Sequence, residues 1–186
     1  MVYLLLGILL WVVVHALPSV GLDVKKQLVA RIGVMAYRGL FSMVVVFSIV
    51  LMVYGWKQTS PQLLYVLPEV VAPIAKSLIY VAFVLLVAVG FATRLKRVFR
   101  HPQLTGVLLW SIGHLLMNGD NRSVLLFGFM ALWALVEMLL INRREGVWIK
   151  GEVPVVAKEV MIVAIGTVLY VGVMFLHPYV SGVAIL

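Results

Sequence analysis

Four histidines are the residues of this sequence best suited to chemistry in an apolar environment: His15, His101, His114 and His177. His114 lies in Leu104–Met117, an almost purely apolar run between a basic segment and a polar turn. An unsatisfied polar group in hydrocarbon costs several kcal/mol, and ionisable groups inside membranes are functional candidates for that reason. We therefore expect the His114 imidazole to face a partner inside a helical bundle.

The depth of each histidine decides which of them can share a ligand. His15 lies about 20 Å along the first apolar run and His114 about 16 Å along the fourth, at 1.5 Å per residue. Two imidazoles that hold one haem iron have facing nitrogens about 4 Å apart, because each metal–nitrogen bond is about 2 Å long. Depth favours His15 with His114 as ligands of one haem iron, places His15 with His101 second and leaves His177 apart.

Each of these two histidines has a tryptophan four residues before it. Trp11 precedes His15 and Trp110 precedes His114, so each indole shares a helix face with its imidazole. Two such indoles suit the walls of a pocket for a flat apolar cofactor. Ordinary helix packing is the competing explanation for tryptophans at this spacing.

Small and polar residues on the fourth run have both a structural and a functional interpretation. Gly106 and Gly113 form a smooth strip that a macrocycle or another helix can approach closely. Asn118 lies one turn beyond His114, where it can orient a ligand or simply close a turn.

Basic residues precede the fourth run. Arg97, Arg100 and His101 are placed to hold haem propionates or anionic lipid headgroups. An interfacial imidazole at a helix start is the simpler interpretation of His101, because Pro102 is typical of a first helical position. Glu137, in the fifth run, we interpret as snorkelling or paired with Arg143 or Arg144.

Composition sets the class of protein that must position these residues. The chain has 186 residues, of which 64% are hydrophobic and 12% charged, with a mean hydropathy of +1.14. Soluble domains are closer to half apolar and a quarter charged, so we expect an integral membrane protein in contact with the lipid bilayer. The absence of cysteine excludes disulfides, thiolate ligands and iron–sulfur clusters.

Six apolar runs are expected to cross the membrane, at about 2–18, 35–56, 71–93, 103–117, 123–141 and 159–176. The fourth is short for a span. The first has no basic segment before it and no cleavage motif after it, so we expect a retained helix. The sequence predicts an all-α, polytopic membrane helix bundle, with residues 1–186 forming a single transmembrane domain.

Loop charges predict the orientation of this bundle. Three loops hold 12 of the 15 basic residues, and Lys57, Lys76 and Arg122 lie on the other side. This bias predicts that both termini lie outside the cytoplasm, on the far side of the inner membrane from the basic loops. The net charge of +8 is explained by topology, and we expect no nucleic-acid partner.

One internal match is consistent with an inverted repeat. Residues 7–17 align without gaps on residues 106–116, sharing a glycine, two leucines, a tryptophan, a histidine and a final leucine. The two segments would run in opposite directions across the membrane, as in inverted-repeat membrane proteins. Coincidence between leucine-rich helices is the competing explanation.

A longer string of residues resembles the signature of the NnrU family. It runs Arg100-His101-Pro102-Gln103-Leu104 and continues with Leu109-Trp110-Ser111-Ile112-Gly113-His114 through Asn118-Gly119-Asp120. The early His15, the segment Arg31–Leu40, Arg143-Arg144-Glu145 and the late His177 are also similar to that family, so the resemblance covers nearly the whole chain.

The resemblance implies a cofactor and two classes of activity. Bacterial NnrU proteins are associated with denitrification and nitric oxide metabolism. The ζ-carotene isomerase, which is similar to them, binds haem b through histidines and isomerises a double bond when the iron is reduced. This implies haem b held by His15 and His114, a hydrophobic small-molecule substrate and a redox-gated isomerase. The isomerase's extra loop sequence is absent here.

Two other functions compete with this interpretation. Arg100-His101-Pro102 and Gly106 resemble the start of the S-adenosylmethionine segment of isoprenylcysteine-type membrane methyltransferases. Leu104 stands where those enzymes have a tyrosine, and their acidic, tyrosine-rich C-terminal segment is missing. A non-catalytic assembly factor for a larger reductase is the other alternative.

Overall fold

The computed structural model describes residues 1–153 and 155–184, and helices dominate it. Within these ranges no strand forms, apart from one isolated bridge between Leu63 and Asp120. A single 3-10 turn, Glu69–Val71, precedes the fourth helix. The helices are α1 Val2–Val20, α2 Leu22–Ile32, α3 Val34–Gln58, α4 Ala72–Ala88, α5 Leu95–Val98, α6 Pro102–Met117, α7 Asn121–Glu145 and α8 Val156–Ser181.

Five of the helical segments are long and apolar enough to cross a bilayer, by length and composition. They are α1, α3, α4 with its preceding turn, α7 and α8. The expectation of an all-helical membrane bundle is confirmed, but the count of six spans is not. The expected span that is missing from these five is the fourth apolar run, which forms α6. This helix has 16 residues, which is about 24 Å of helix against a hydrocarbon core of about 30 Å.

A short amphipathic helix, α2, occupies much of what the sequence indicates is a linker between the first two spans. None of its residues is buried, and Val24, Leu28 and Ile32 are exposed on one side. Lys26 and Asp23 form an exposed ion pair 3.7 Å apart. Hydropathy alone missed α2 because its polar and apolar residues alternate with a helical period that a search for long apolar runs averages out.

The helices pack as a chain of neighbours: α8 lies against α4, α4 against α6, α6 against α7, α7 against α1, and α1 against α3. Glycines bring two of these pairs together. A Cβ added at Gly7 of α1 would lie 2.8 Å from the Ser48 carbonyl oxygen of α3. A Cβ added at Gly113 of α6 would lie 2.9 Å from the Ala75 carbonyl oxygen of α4. Helix α4 therefore packs directly on the glycine strip of α6.

The start of α1 and the end of α8 lie at one end of the bundle, which we call the terminal end. The Met1 amino group donates to the Thr59 hydroxyl at the end of α3. Trp56 Nε1 donates to the Ser181 carbonyl oxygen at 3.0 Å, which fixes the end of α8 beside α3. The turn between α6 and α7 is also at this end, because the Gly119 carbonyl oxygen accepts the Leu64 N–H at 2.8 Å.

The opposite end, which we call the basic end, is formed by the connectors 21–33, 89–101 and 146–153. Arginines make contacts between segments here. Arg97 Nη1 donates to the Gly151 carbonyl oxygen at 2.9 Å, which links two of these connectors. Arg144 Nη1, near the end of α7, donates to the Pro18 carbonyl oxygen of α1 at 2.7 Å. Helix α6 begins at this end and finishes at the terminal end.

Candidate functional site

A cavity of about 750 Å³ opens at the basic end, inside the ring of helix ends. The end of α1 contributes His15, α7 contributes Trp133 and Glu137, and the start of α6 contributes His101 and Pro102. The connectors on either side of α5 and after α7 complete the walls. The cavity thus has apolar helices on one side and basic loops on the other.

His15 forms the aromatic side of this cavity. Its ring stacks on Trp11 with centroids 4.3 Å apart and meets Trp133 and Phe41 edge-on at 5.1 and 5.3 Å. His15 Nδ1 lies 2.8 Å from the Trp11 carbonyl oxygen. Because a carbonyl oxygen only accepts, Nδ1 carries the hydrogen and the Nε2 lone pair stays available to a ligand.

Two buried indole N–H groups lie at the same site. Trp133 is only 8% exposed, and its ring packs edge-on against Trp11 at 5.4 Å. Neither Trp133 Nε1 nor Trp11 Nε1 has a hydrogen-bond partner within the part of the chain that the structure describes. A buried donor without a partner costs about 1–3 kcal/mol, so these groups favour a ligand that offers an acceptor.

Cations surround the mouth of the cavity. Lys96, Arg97, Arg100 and Lys158 all line it, together with His101. Arg100 lies 3.6 Å from the Glu145 carboxylate, and His101 Nε2 lies 2.8 Å from Asn142 Oδ1. The predicted anion-binding residues Arg97, Arg100 and His101 are therefore brought to one cavity with His15.

Glu137 is the buried carboxylate of the cavity, with 7% of its surface exposed. Its Oε1 accepts a hydrogen bond from the Ser19 hydroxyl of α1. The interpretation that it snorkels or pairs with Arg143 or Arg144 is not supported, since Arg144 instead contacts Glu145 at 3.2 Å. Sequence reasoning missed one signal for this side of the cavity: Trp133 and Glu137 are four residues apart in an apolar helix and therefore share a helix face.

His114 lies elsewhere, towards the terminal end. It stacks on Phe127 at 4.4 Å and lies beside Trp110 at 4.8 Å, and its Nδ1 is 2.8 Å from the Trp110 carbonyl oxygen. It is not among the residues that line the cavity. The ring of His177 is its neighbour, 6.4 Å away between centroids.

The structure does not bring His15 and His114 to one site. Their contacts on α7 mark the separation, because His15 meets Trp133 and His114 meets Phe127. These α7 positions are about 9 Å apart along the helix axis at 1.5 Å per residue. Facing nitrogens on one iron need only about 4 Å. The two rings are therefore too far apart in this structure to bind one iron, and a shared His15–His114 haem site stays a prediction.

Of the two interpretations of Asn118, the structure supports closing a turn over orienting a ligand. Its side-chain amide donates to the His114 carbonyl oxygen at 3.0 Å, which closes the last turn of α6. Asp120 caps the next helix, α7. Its carboxylate accepts the backbone N–H groups of Arg122 and Ser123 at 3.1 Å each.

A second polar cluster lies around this turn. Arg122 lies over the Trp56 ring at 4.3 Å and 3.4 Å from the Asp120 carboxylate. Tyr65, in the loop after α3, donates to the Leu115 carbonyl oxygen. Burial, with a smaller effect of the Asp120 charge, raises the pKa of Tyr65 above its usual value. These contacts tie three segments together at the terminal end.

No group of three or more His, Cys, Asp or Glu side chains that could hold a metal ion occurs within residues 1–153 and 155–184.

Comparison with known proteins gives one result. A family model described as NnrU protein matches residues 3–185, nearly the whole chain. No curated protein and no solved structure matches the chain.

Proposed function

The chain belongs to the NnrU family, and from this premise we propose that it is a single transmembrane domain that binds haem b in the cavity at the basic end. One observation carries the proposal: His15, with a free Nε2, shares this cavity with Arg97 and Arg100. Imidazole is a common axial ligand of haem iron, and arginine pairs well with carboxylates such as haem propionates.

The residues present fit such a group in three respects. The volume of about 750 Å³ falls within the range of about 300–1,000 Å³ that small-molecule and cofactor sites occupy. The indoles of Trp11 and Trp133 supply apolar walls, and the cations lie at one mouth. A flat apolar molecule with anionic groups at one edge matches this distribution of charge.

Each residue has a definite part in this proposal. His15 would ligate the iron, and Arg97, Arg100 and His101 would hold the propionates at the mouth. Bound haem would supply a redox-active iron. Glu137 is a buried carboxylate on the cavity wall, and its Oε1 accepts a hydrogen bond from the Ser19 hydroxyl. His114, Trp110 and Asn118 take no part here.

The activity we propose first is isomerisation of a hydrophobic small molecule, gated by the redox state of the iron. The aromatic wall around His15 supports this choice, because it favours an apolar substrate drawn from the bilayer. A haem-dependent step in nitrogen-oxide metabolism is the second activity to test.

We propose a bacterial inner-membrane location with six crossings and both termini outside the cytoplasm. The contacts of both termini at one end support an even number of crossings. Helix α6 extends from the basic end to the terminal end, which supports α6 as the sixth membrane crossing. The basic connectors would face the cytoplasm under the positive-inside rule.

A second candidate function uses the same cavity. Arg100, His101 and Pro102, which resemble part of a methyltransferase segment, line it together with Leu104. This placement favours S-adenosylmethionine as an alternative ligand, with methyl transfer to a membrane-dissolved acceptor as the reaction.

Optical spectra of the detergent-purified protein, oxidised and then reduced with dithionite, test the proposal. We expect a haem absorption band that is lost in His15→Ala and kept in His114→Ala. Arg97→Ala with Arg100→Ala should lower haem occupancy without abolishing folding. Loss of the band in both histidine variants would show that His15 and His114 share the iron.

The alternative ligand is tested with the same sample. A protein that shows no visible absorption after haem supplementation, and that binds S-adenosylmethionine with saturation, would overturn the haem proposal in favour of the methyltransferase. A protein that binds neither and co-purifies with a reductase would support an assembly factor instead.

A further inference from the structure

Two histidines that the proposed cavity does not use lie side by side at the terminal end. His114 comes from α6 and His177 from the last turns of α8. Their ring centroids are 6.4 Å apart and their planes differ by 23°. Both side chains are half-buried, so this pair is less accessible to solvent than surface histidines usually are.

Each of these imidazoles is held through its Nδ1 atom. His114 Nδ1 lies 2.8 Å from the Trp110 carbonyl oxygen. His177 Nδ1 lies 2.8 Å from the Val183 carbonyl oxygen and 3.0 Å from Ser181 Oγ. Because the carbonyl oxygens only accept, both Nδ1 atoms carry the hydrogen and both Nε2 atoms keep a lone pair.

Neither Nε2 atom has a hydrogen-bond partner among the residues that the structure describes. Histidines that ligate metals typically donate their other ring nitrogen to a carbonyl or carboxylate, which fixes the tautomer and the ring orientation. The two rings are thus prepared, from two different helices, in the form that a metal ion requires.

We propose that His114 and His177 bind one copper ion between α6 and α8. Two imidazoles on opposite sides of an ion have ring centres about 6 Å apart, given bonds of about 2 Å and about 1.1 Å from nitrogen to ring centre. The observed 6.4 Å between ring centroids is close to this value, so the two imidazoles lie within the separation that one shared ion requires.

Copper is the metal that the donor set favours. Imidazole sites follow an affinity order that peaks at Cu(II) among the divalent first-row metals. Met117 and Met174 lie one turn from His114 and His177 on the same two helices. Thioether sulfur is a soft donor that suits Cu(I), so this neighbourhood can serve both oxidation states.

The site leaves coordination positions for other ligands. In the described ranges no third His, Cys, Asp or Glu joins the pair. The remaining positions on the ion would be filled by water or by a small exogenous ligand. This distinguishes the pair from closed structural sites, which take four ligands from the protein.

Copper titration of the metal-depleted, full-length protein in detergent tests the proposal. We expect one equivalent of Cu(II) to bind with an electron paramagnetic resonance spectrum that shows nitrogen coupling from two imidazoles. His177→Ala should weaken binding at least about tenfold, a loss of about 1.4 kcal/mol. If His177→Ala folds poorly, His177→Gln replaces it, because glutamine keeps a polar side chain at the helix end. His177→Gln should weaken copper binding by a similar factor.

Tyr179→Ala is the matched control, because Tyr179 is an exposed aromatic residue two positions after His177 on the same helix. It should bind copper like the unmodified protein. Unchanged copper affinity in both His177 variants, or equal loss in Tyr179→Ala, would overturn the proposal. The haem spectrum separates this site from the cavity: His177→Ala should keep it, and its loss would assign this pair to haem and overturn the copper site.

Discussion

At the scale of single residues, each imidazole that faces the interior is oriented by the helix on which it stands. His15 and His114 contact the carbonyl oxygens of Trp11 and Trp110, four residues earlier, both at 2.8 Å. A carbonyl at the preceding turn already has a helical hydrogen bond, and its second lone pair is available to the ring. The same contact with the preceding helical turn therefore leaves Nε2 available to a ligand in both histidines.

Asp120 is the residue of the terminal end whose side chain we expect to contribute most clearly to the free energy of unfolding. It accepts the Arg122 and Ser123 backbone N–H groups at 3.1 Å and the Ser123 hydroxyl at 2.6 Å. Loss of such an N-cap costs about 0.5–2 kcal/mol. We expect Asp120→Ala to lower the free energy of unfolding by about 1–2 kcal/mol, measured by thermal or denaturant unfolding in detergent.

Two control variants sharpen this measurement. Asp120→Asn keeps a side-chain acceptor and should lose less than Asp120→Ala, because asparagine is also a good N-cap. Asp23→Ala removes a carboxylate that is 90% exposed, and exposed substitutions usually change stability by at most about 0.5 kcal/mol. If Asp23→Ala destabilises the protein as much as Asp120→Ala, the capping contacts are not the cause.

At the scale of elements, close helix contacts at glycines hold the bundle together. Gly55 of α3 lies directly on the α1 backbone, so a Cβ there would overlap Leu4. Forcing extra atoms into a tight interface costs about 1–3 kcal/mol. We expect Gly55→Ala to destabilise the protein by that amount, measured as a lower melting temperature in detergent.

Gly39→Ala, on the same helix, provides the comparison. A Cβ at Gly39 meets nothing within 4 Å, and alanine is a better helix former than glycine by about 0.5–1 kcal/mol. The melting temperature should therefore stay equal or rise. A fall of the same size in both variants would mean that helix propensity in detergent, and not the α1–α3 contact, determines the result.

The sequence predicts long elements better than short ones. Residues 34–58 and 121–145 are so apolar that helices could be placed there from hydropathy alone. Helix α2 could not, because its helical character lies in the spacing of Val24, Leu28 and Ile32 and not in their density. The pairing of His15 with His114 stays a prediction for a similar reason, since depth along each helix does not determine which face meets which neighbour.

At the scale of the whole molecule, charge and ligand chemistry divide between the two ends. The basic end combines the cavity, the cations and the buried Glu137, whereas the terminal end holds His114, His177 and the Arg122 contacts. The loop charges of the sequence predicted this asymmetry. Which histidine would belong to which end depended on helix packing, and only the folded chain reveals it.

The cysteine-free chain allows a direct test of how this molecule crosses the membrane. Single cysteines at Gln62 and Tyr179 would lie at the terminal end, and those at Lys96 and Lys150 at the basic end. Because basic connectors are retained in the cytoplasm, an impermeant maleimide added to intact cells should label only the first two positions. All four should react after the membrane is permeabilised, which controls for burial.

The same experiment decides whether α6 crosses the bilayer. A cysteine at Asn121 follows α6, and Lys96 precedes it, so a sixth crossing requires the Asn121 cysteine to be labelled and the Lys96 cysteine to be protected. A helix of about 24 Å can cross if the bilayer thins around it, at a cost of fractions of a kcal/mol for each Å of mismatch. Equal protection of both positions would leave α6 as a re-entrant helix and would place the two chain termini on opposite sides.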